Sequence, residues 1–189
     1  MEGVYSVKKI IVDGTVHPVA GAEVYTRGDA PGIAQLAEDL LAFIPVYCNG
    51  NRTMVVTSRS LFYLPWRCQW VKTRVLQHFA ISQRDLRRAC EEDLNLSLFT
   101  PLAIASASVV YAPIKVREPI SRNDGAHGYF RIDAIRSADA ISAHTTRLTI
   151  DEIAAIDVLM PRTKVLARVR EARSSLILHC ARNVPYPSL

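Results

Sequence analysis

The chain is poor in the patterns that build metal centres, redox pairs and membrane spans. Its four cysteines lie far apart without a CxxC or CxxH spacing, so we expect neither a zinc site nor a redox pair. No run approaches roughly eighteen uninterrupted apolar residues, and the start, "MEGVYSVKKI", lacks the basic-then-apolar order of a secretion signal. These absences favour a soluble cytoplasmic protein with no metal, no small-molecule cofactor and no membrane partner.

Recognisable catalytic motifs are missing as well. The patterns GxSxG, HExxH, DxDxDG, GxGxxG and the P-loop do not occur. The best candidates for catalytic residues are Asp124 with His127 in a glycine-rich loop, or His179 beside Cys180. Adjacent residues on a helix point about 100° apart, so the second pair makes a poor dyad, and the loop is most simply a turn. We therefore expect that the protein is not an enzyme.

What the chain does have is enough apolar content for one core and an excess of arginine. Of its 189 residues, 49% are hydrophobic and 22% are charged, which suits a single compact domain over residues 1–189. The net charge is +5, and only five of the 23 basic residues are lysine, which leaves 18 arginines. Guanidinium groups form bidentate hydrogen bonds with phosphates, so this composition favours a protein that binds nucleic acid. The competing explanation is a GC-rich genome, which encodes arginine in place of lysine without functional meaning.

The residue pattern predicts an α+β fold in which β-hairpins and a mixed or antiparallel sheet accompany a central helical pair and a C-terminal helix. The Asp13-Gly14 turn predicts an N-terminal hairpin within residues 1–24. The Asn49-Gly50 turn predicts a second hairpin, whose first strand ends at Pro45.

The strand-rich part, residues 100–182, is predicted to end in an amphipathic helix. Its apolar strand "SVVYAPIKV" contains Pro113, which confines a strand to a sheet edge or a bulge. A later pair of strands turns near Asp151-Glu152. Beyond it, an apolar stripe at helical spacing predicts the terminal helix, and its residues are Val165, Val169, Ala172 and Leu176.

Residues 65–96 predict two helices joined by a short turn, inserted between the β-rich parts. Apolar residues at three- and four-residue steps indicate a helix over about 66–79. Ser82, with Asp85 three positions later, is an N-cap signal for a second helix. Two helices joined by about three residues resemble a helix-turn-helix. Ala80 stands where that motif usually has glycine.

The second helix carries its charges in the reverse of the order that a helix favours. Arginines occupy its first half and acids its second half, although the helix dipole favours acids at the amino end. In a helix-turn-helix, the residues that would face a DNA groove are Gln83, Arg84, Arg87 and Arg88. The alternative is a solvated helical hairpin, in which Arg87 pairs with Glu91 and Arg88 with Glu92.

A series of stretches between about residues 40 and 176 has a recognisable order. It consists of "AFIPVYCNGNRTMVV", "YLPWRCQW", "VVYAPIKVR" and "GYFRIDAI", the last leading to "TTRLTIDEIAAIDVLM" and the terminal helix. This series resembles the ComK family of bacterial competence transcription factors. The chain departs from the family at 66–96, where the family has a loop-rich segment. The resemblance implies a transcriptional regulator that binds AT-rich double-stranded DNA, largely through the minor groove, as a homodimer or higher oligomer.

The resemblance also implies a second set of DNA contacts. Minor-groove readers use Arg and Lys on loops and arms, and the candidates in and around the glycine-rich loop are Lys115, Arg117, Arg122 and Arg131. Trp66 and Trp70 indicate a different function, because both project from the far side of the first helix and need a covering surface. The alternative is therefore a protein-interaction module without nucleic acid, with these tryptophans as its contact.

Overall fold

The protein has the predicted α+β fold in a computed structural model that describes residues 8–11, 19, 22–119, 121 and 124–182. The helices in these ranges are α1 (Ile33–Leu36), α2 (Cys68–His78), α3 (Gln83–Leu94) and α4 (Arg162–Arg182). The strands are β1 (Lys8–Ile11), β2 (Glu23–Val24), β3 (Leu40–Tyr47), β4 (Asn51–Thr57), β5 (Leu61–Leu64), β6 (Leu102–Ile104), β7 (Val109–Lys115), β8 (His127–Arg131), β9 (Ile135–Ala140), β10 (Thr146–Ile150) and β11 (Ala154–Val158).

The strands form two mixed sheets that share one hydrophobic core. The larger sheet has the order β2-β5-β4-β3-β8-β7-β6, and the smaller has the order β1-β11-β10-β9. Neighbours are antiparallel, except that β1 runs parallel to β11 and β2 parallel to β5. Nearly every side chain of β3, β5 and β11 is buried. Because successive side chains point to opposite faces, the centre of each sheet is covered on both sides.

The helices pack against different strands of the two sheets. α2 packs against β3 and β4, whereas α4 packs against β6, β7 and β9. α3 packs on α4, where Cys90 Sγ lies 3.3 Å from Ser175 Oγ in a buried contact. The terminal helix buries Val165 and Ala172, as its apolar stripe predicts. α3 therefore lies beside the sheet, held by α4.

Two of the turn predictions are confirmed. Asn49 and Gly50 have φ values of 51° and 104° and close the β3–β4 hairpin, and Asp151, with φ 43°, lies in the turn that joins β10 to β11. The predicted Asp13-Gly14 turn lies outside the described residues. Of that N-terminal segment, β1 is described, and it pairs with β11 in parallel register.

Proline placement corrects one strand prediction and explains another. The prediction that the first strand ends at Pro45 is wrong, because β3 continues to Tyr47. β8 pairs with β3 only at Ala42 and Phe43, so the missing N–H of Pro45 removes no hydrogen bond between β3 and β8. Pro113 lies in β7, an interior strand, but β6 pairs with β7 only as far as Tyr111. Locally, Pro113 therefore occupies an edge.

The connection between α2 and α3 is a tight, capped turn. Ala80 has φ 55°, the left-handed conformation that glycine adopts most easily. Ile81 N donates to Leu76 O at 2.8 Å, which is the long bond of a Schellman helix end. Ser82 Oγ then accepts from Asp85 N at 3.3 Å and caps α3. The turn and the cap together determine where α3 begins and which side of it is exposed.

Gly128 in β8 occupies a position with no room for a side chain. A Cβ atom there would lie 3.1 Å from Ile44 Cγ1, 3.1 Å from Phe130 Cε2 and 3.2 Å from Val116 Cγ1. All three neighbours are fully buried, so none can turn aside into solvent. The close packing of the sheet centre therefore requires glycine here.

We predict that Gly128→Ala lowers the free energy of unfolding by about 1 to 3 kcal/mol, because an extra methyl overpacks a dense core. Urea denaturation measures the change. Gly28→Ala is the matched control, since a Cβ at this exposed glycine meets nothing within 4 Å. Equal stability of the Gly128 variant and the wild type would contradict the prediction.

Candidate nucleic-acid interface

The exposed face of α3 carries the four side chains predicted to contact a DNA groove. Gln83, Arg84, Arg87 and Arg88 are all exposed, whereas Leu86 and Cys90 of the same helix are buried. Arg88 Nη2 lies 3.1 Å from Asp85 Oδ1, in a pair that is largely open to solvent and therefore weak. Among the described residues, Arg84 and Arg87 have no acidic partner.

The acidic half of α3 is matched by α4. Arg182 Nη2 lies 2.5 Å from Asp93 Oδ1 and 3.9 Å from Glu92 Oε2. The pairs expected of a solvated hairpin, Arg87 with Glu91 and Arg88 with Glu92, are not among the described ion pairs. Two of the three acids, Glu92 and Asp93, therefore have a partner in α4, and the arginines of the first turns face solvent.

The second predicted DNA surface is not a cluster of unpaired cations. Lys115 forms an ion pair with Glu118. Arg131 makes two bonds of 2.8 Å to the Asp133 carboxylate, from Nε and Nη2. Arg122 lies outside the described residues. Each of the two described surface cations thus has an acid beside it, and the local charge is close to zero.

The prediction that Arg117 contacts DNA is wrong, because its side chain is inside the protein. The residue is 1% exposed. Its Nε donates to Gly125 O at 2.8 Å, and its Nη2 donates to Asn51 Oδ1 at 2.9 Å. Burial lowers the pKa of this guanidinium. Arg117 lies two residues beyond the end of β7 at Lys115.

The Arg117 side chain organises the loop before β8. Asn51 Nδ2 donates to Asp124 Oδ1 at 2.7 Å, and Asp124 Oδ2 accepts from Ser121 N at 3.0 Å. The chain of contacts from Arg117 through Asn51 to Asp124 ties this loop to the start of β4. Asp124 is thereby occupied as a structural acceptor.

The two tryptophans of the alternative hypothesis stack on each other. The ring centroids of Trp66 and Trp70 are 4.3 Å apart with an interplanar angle of 24°, and Arg74 Cζ lies 5.1 Å from the Trp70 ring. Both tryptophans are half-buried and pack against the core. Much of the covering surface that they need is therefore supplied within the chain.

A cavity of about 290 Å³ opens beside the DNA-facing residues, between α2, α3, β7, β8 and residues 97–100. Its ionisable lining includes Lys72, Arg87 and His127, and none of the described carboxylates lines it. Lys72 is 8% exposed, and burial lowers the pKa of its ammonium. The sequence interpretation missed Lys72, although its four-residue step from Cys68 on the apolar stripe of α2 was a usable signal.

The residues weighed for catalysis do not form a reactive group. The His127 ring lies 4.2 Å from the Phe99 ring, while Asp124 bonds Asn51 and Ser121. Burial raises the pKa of the Cys68 thiol to about 12, which keeps it protonated and weakly nucleophilic at neutral pH. His179 and Cys180 line a separate cavity of about 550 Å³ beside the turn between α2 and α3.

Neither a metal centre nor a membrane span is found in the described part of the chain. It contains no group of three or more His, Cys, Asp or Glu side chains placed to hold a metal ion. Every helix in it is too short or too polar to cross a bilayer. Comparison of the chain with protein-family models, with curated proteins and with solved structures gives no match. What the protein binds must therefore be inferred from its own side chains.

His127 is a half-buried histidine among cations. Burial lowers its pKa to about 4, from 6.5, and the charges of Arg168 and Lys115 act in the same direction. Between these two values the unfolded chain binds more protons than the folded chain, so the free energy of unfolding falls as the pH drops through that window.

We predict that His127→Gln removes this part of the pH dependence. For a fully buried group the effect would be about 3 kcal/mol, and solvent screening of the half-buried ring makes it smaller. Thermal or urea unfolding of both proteins between pH 7 and 4 measures the difference. His144→Gln, at an exposed loop histidine, should retain the wild-type profile. A profile of His127→Gln that parallels the wild type would contradict the prediction.

Proposed function

We propose that the protein is a ComK-like transcriptional regulator that binds AT-rich double-stranded DNA through the arginine face of α3. The observation that carries the proposal is the separation of charge on this helix. Arg84, Arg87 and Arg88 are exposed with one acid, Asp85, among them, while the other end is matched by Arg182. An exposed row of guanidinium groups is a phosphate-binding surface.

The backbone around α3 supports this proposal. In helix-turn-helix proteins, the first turns of the second helix enter the major groove. Here the left-handed Ala80 and the Ser82 cap fix the start of α3, and buried Leu86 fixes its rotation. Gln83 and the arginines then point outwards together. Amide and guanidinium groups are the side chains that most often read base edges.

The local charge balance favours α3 over the glycine-rich loop as the main contact. Lys115 and Arg131 each have an adjacent carboxylate, and Arg117 is buried. A preference for AT-rich sites rests on the family resemblance alone. The proposed role places the protein in the bacterial cytoplasm, where the DNA is. We further propose that it forms a homodimer or higher oligomer. Sedimentation equilibrium with and without duplex DNA would detect this assembly.

The alternative function is a protein-interaction module centred on Trp66 and Trp70. Their stacking at 4.3 Å leaves a half-exposed aromatic surface that a partner protein would cover. The salt dependence of binding distinguishes the two functions. DNA binding by arginines weakens steeply with salt because counterions are released from the duplex, whereas an aromatic contact is nearly indifferent to it.

We predict that Arg84→Ala with Arg88→Ala weakens binding to an AT-rich duplex by at least about 1 kcal/mol for each arginine. The slope of log affinity against log salt should also become shallower by about two, because two phosphate contacts are lost. Fluorescence anisotropy across a salt series measures both quantities.

Two double variants serve as controls for this experiment. Arg170→Ala with Arg173→Ala removes the same charge from exposed positions on α4 and should leave the slope nearly unchanged. Lys115→Ala with Arg131→Ala tests the loop surface and should have the smaller effect. A flat salt response of the wild type, or equal losses in all three double variants, would refute binding through α3.

A further inference from the structure

The cavity between α2 and α3 has the dimensions of a small-molecule site. Its volume of about 290 Å³ lies at the lower end of the range for ligand pockets, roughly 300 to 1,000 Å³. The walls come from both helices, from β7 and β8, and from residues 97–100. Separate elements therefore meet around one space that borders the outer face of α3 at Gln83 and Arg87.

Lys72 projects into this cavity from the buried side of α2. It is 8% exposed, and the described residues offer its ammonium no carboxylate and no hydrogen-bond acceptor. The ammonium makes a cation–π contact with the Tyr129 ring, whose centroid lies 5.5 Å from Nζ. Because Lys72 is largely withdrawn from bulk water and has no counter-ion among the described residues, an anion in the cavity would meet an unneutralised positive charge.

Other donors surround the same space. Arg87 lines it from α3, without an ion pair among the described residues, and the amides of Gln69 and Gln83 lie on the two helices. Two cations from different helices thus flank a cavity that has no acidic lining residue. A negatively charged head group would meet charge-assisted donors on both sides.

Much of the remaining lining is apolar. It includes Pro113, Tyr129 and Leu102, together with Leu98 and Phe99, which have 64% and 43% of their surfaces exposed. The Phe99 ring is held between His127, at 4.2 Å, and the Arg168 guanidinium, at 5.0 Å. Such a wall favours a ring or a short apolar body over a bare inorganic ion.

From these features we infer that the cavity binds a small organic anion, with one carboxylate or phosphate head group at Lys72 and Arg87 and an apolar body against Leu98, Leu102 and Pro113. The site does not depend on DNA binding. It shares Gln83 and Arg87 with the proposed DNA face, so the experiment below includes a DNA measurement that separates the two.

Calorimetric titration of the full chain with phenyl phosphate, benzoate, inorganic phosphate and benzamide tests the inference. At least one of the two aromatic anions should bind saturably at one site, and the stronger of them identifies the head group. Inorganic phosphate, which lacks the body, and benzamide, which lacks the charge, should bind at least about tenfold more weakly.

Lys72→Met should weaken binding of the aromatic anion by at least about tenfold. Lys164→Met, the same change at an exposed lysine of α4, should bind as the wild type does. Without ligand, Lys72→Met should melt at or above the wild-type temperature, because it removes an unpaired buried charge. Lys72→Gln replaces it if the methionine variant does not fold.

Three results would overturn the inference. They are no saturable binding of either aromatic anion to the wild type, equal binding to the wild type and the Lys72 variants, or loss of duplex affinity in the Lys72 variants without any small-anion binding. The last result would assign Lys72 to the DNA-binding surface.

Discussion

The contact of Arg182 with the end of α3 determines the charge that this helix shows to its surroundings. Counted along the sequence, α3 has more acids than arginines and is not basic. Arg182 lies 2.5 Å from Asp93 and 3.9 Å from Glu92, so two of the acids are held at the interface with α4. The first half of the helix, with its arginines, is left exposed and positive. The first turns of α3 thus form an exposed basic surface only in the folded chain.

The chain contains two buried cations whose surroundings differ. Arg117 and Lys72 both lose water on folding, and burial lowers the pKa of each. Arg117 donates hydrogen bonds to Gly125 O and Asn51 Oδ1 and holds a loop, while its Nη1 has no partner among the described residues. Lys72 recovers only an aromatic face, across a cavity without acids. The first arrangement is structural, and the second leaves a place for a ligand anion.

Local chemistry was enough to predict much of the secondary structure. Asn49-Gly50 adopts the left-handed turn that it predicts, and Ser82 caps α3 through Asp85, three residues later. These signals act within a few residues, so the sequence displays them directly. Strand pairing was not predictable in this way. β3 pairs with β8, more than eighty residues later, and no local pattern selects that partner. The Pro45 prediction failed because the tolerance of a strand for proline depends on its neighbours.

The sequence by itself determined the α+β class, the capped helical pair and the arginine-rich character of the chain, because each follows from residue type and short-range spacing. Only the tertiary structure decided which cations are available. It buried Arg117, matched Lys115 and Arg131 with adjacent acids, and left Arg84 and Arg87 exposed without an acidic partner among the described residues. The reason is physical: the effect of a charge depends on its solvation and on its nearest opposite charge, and folding sets both.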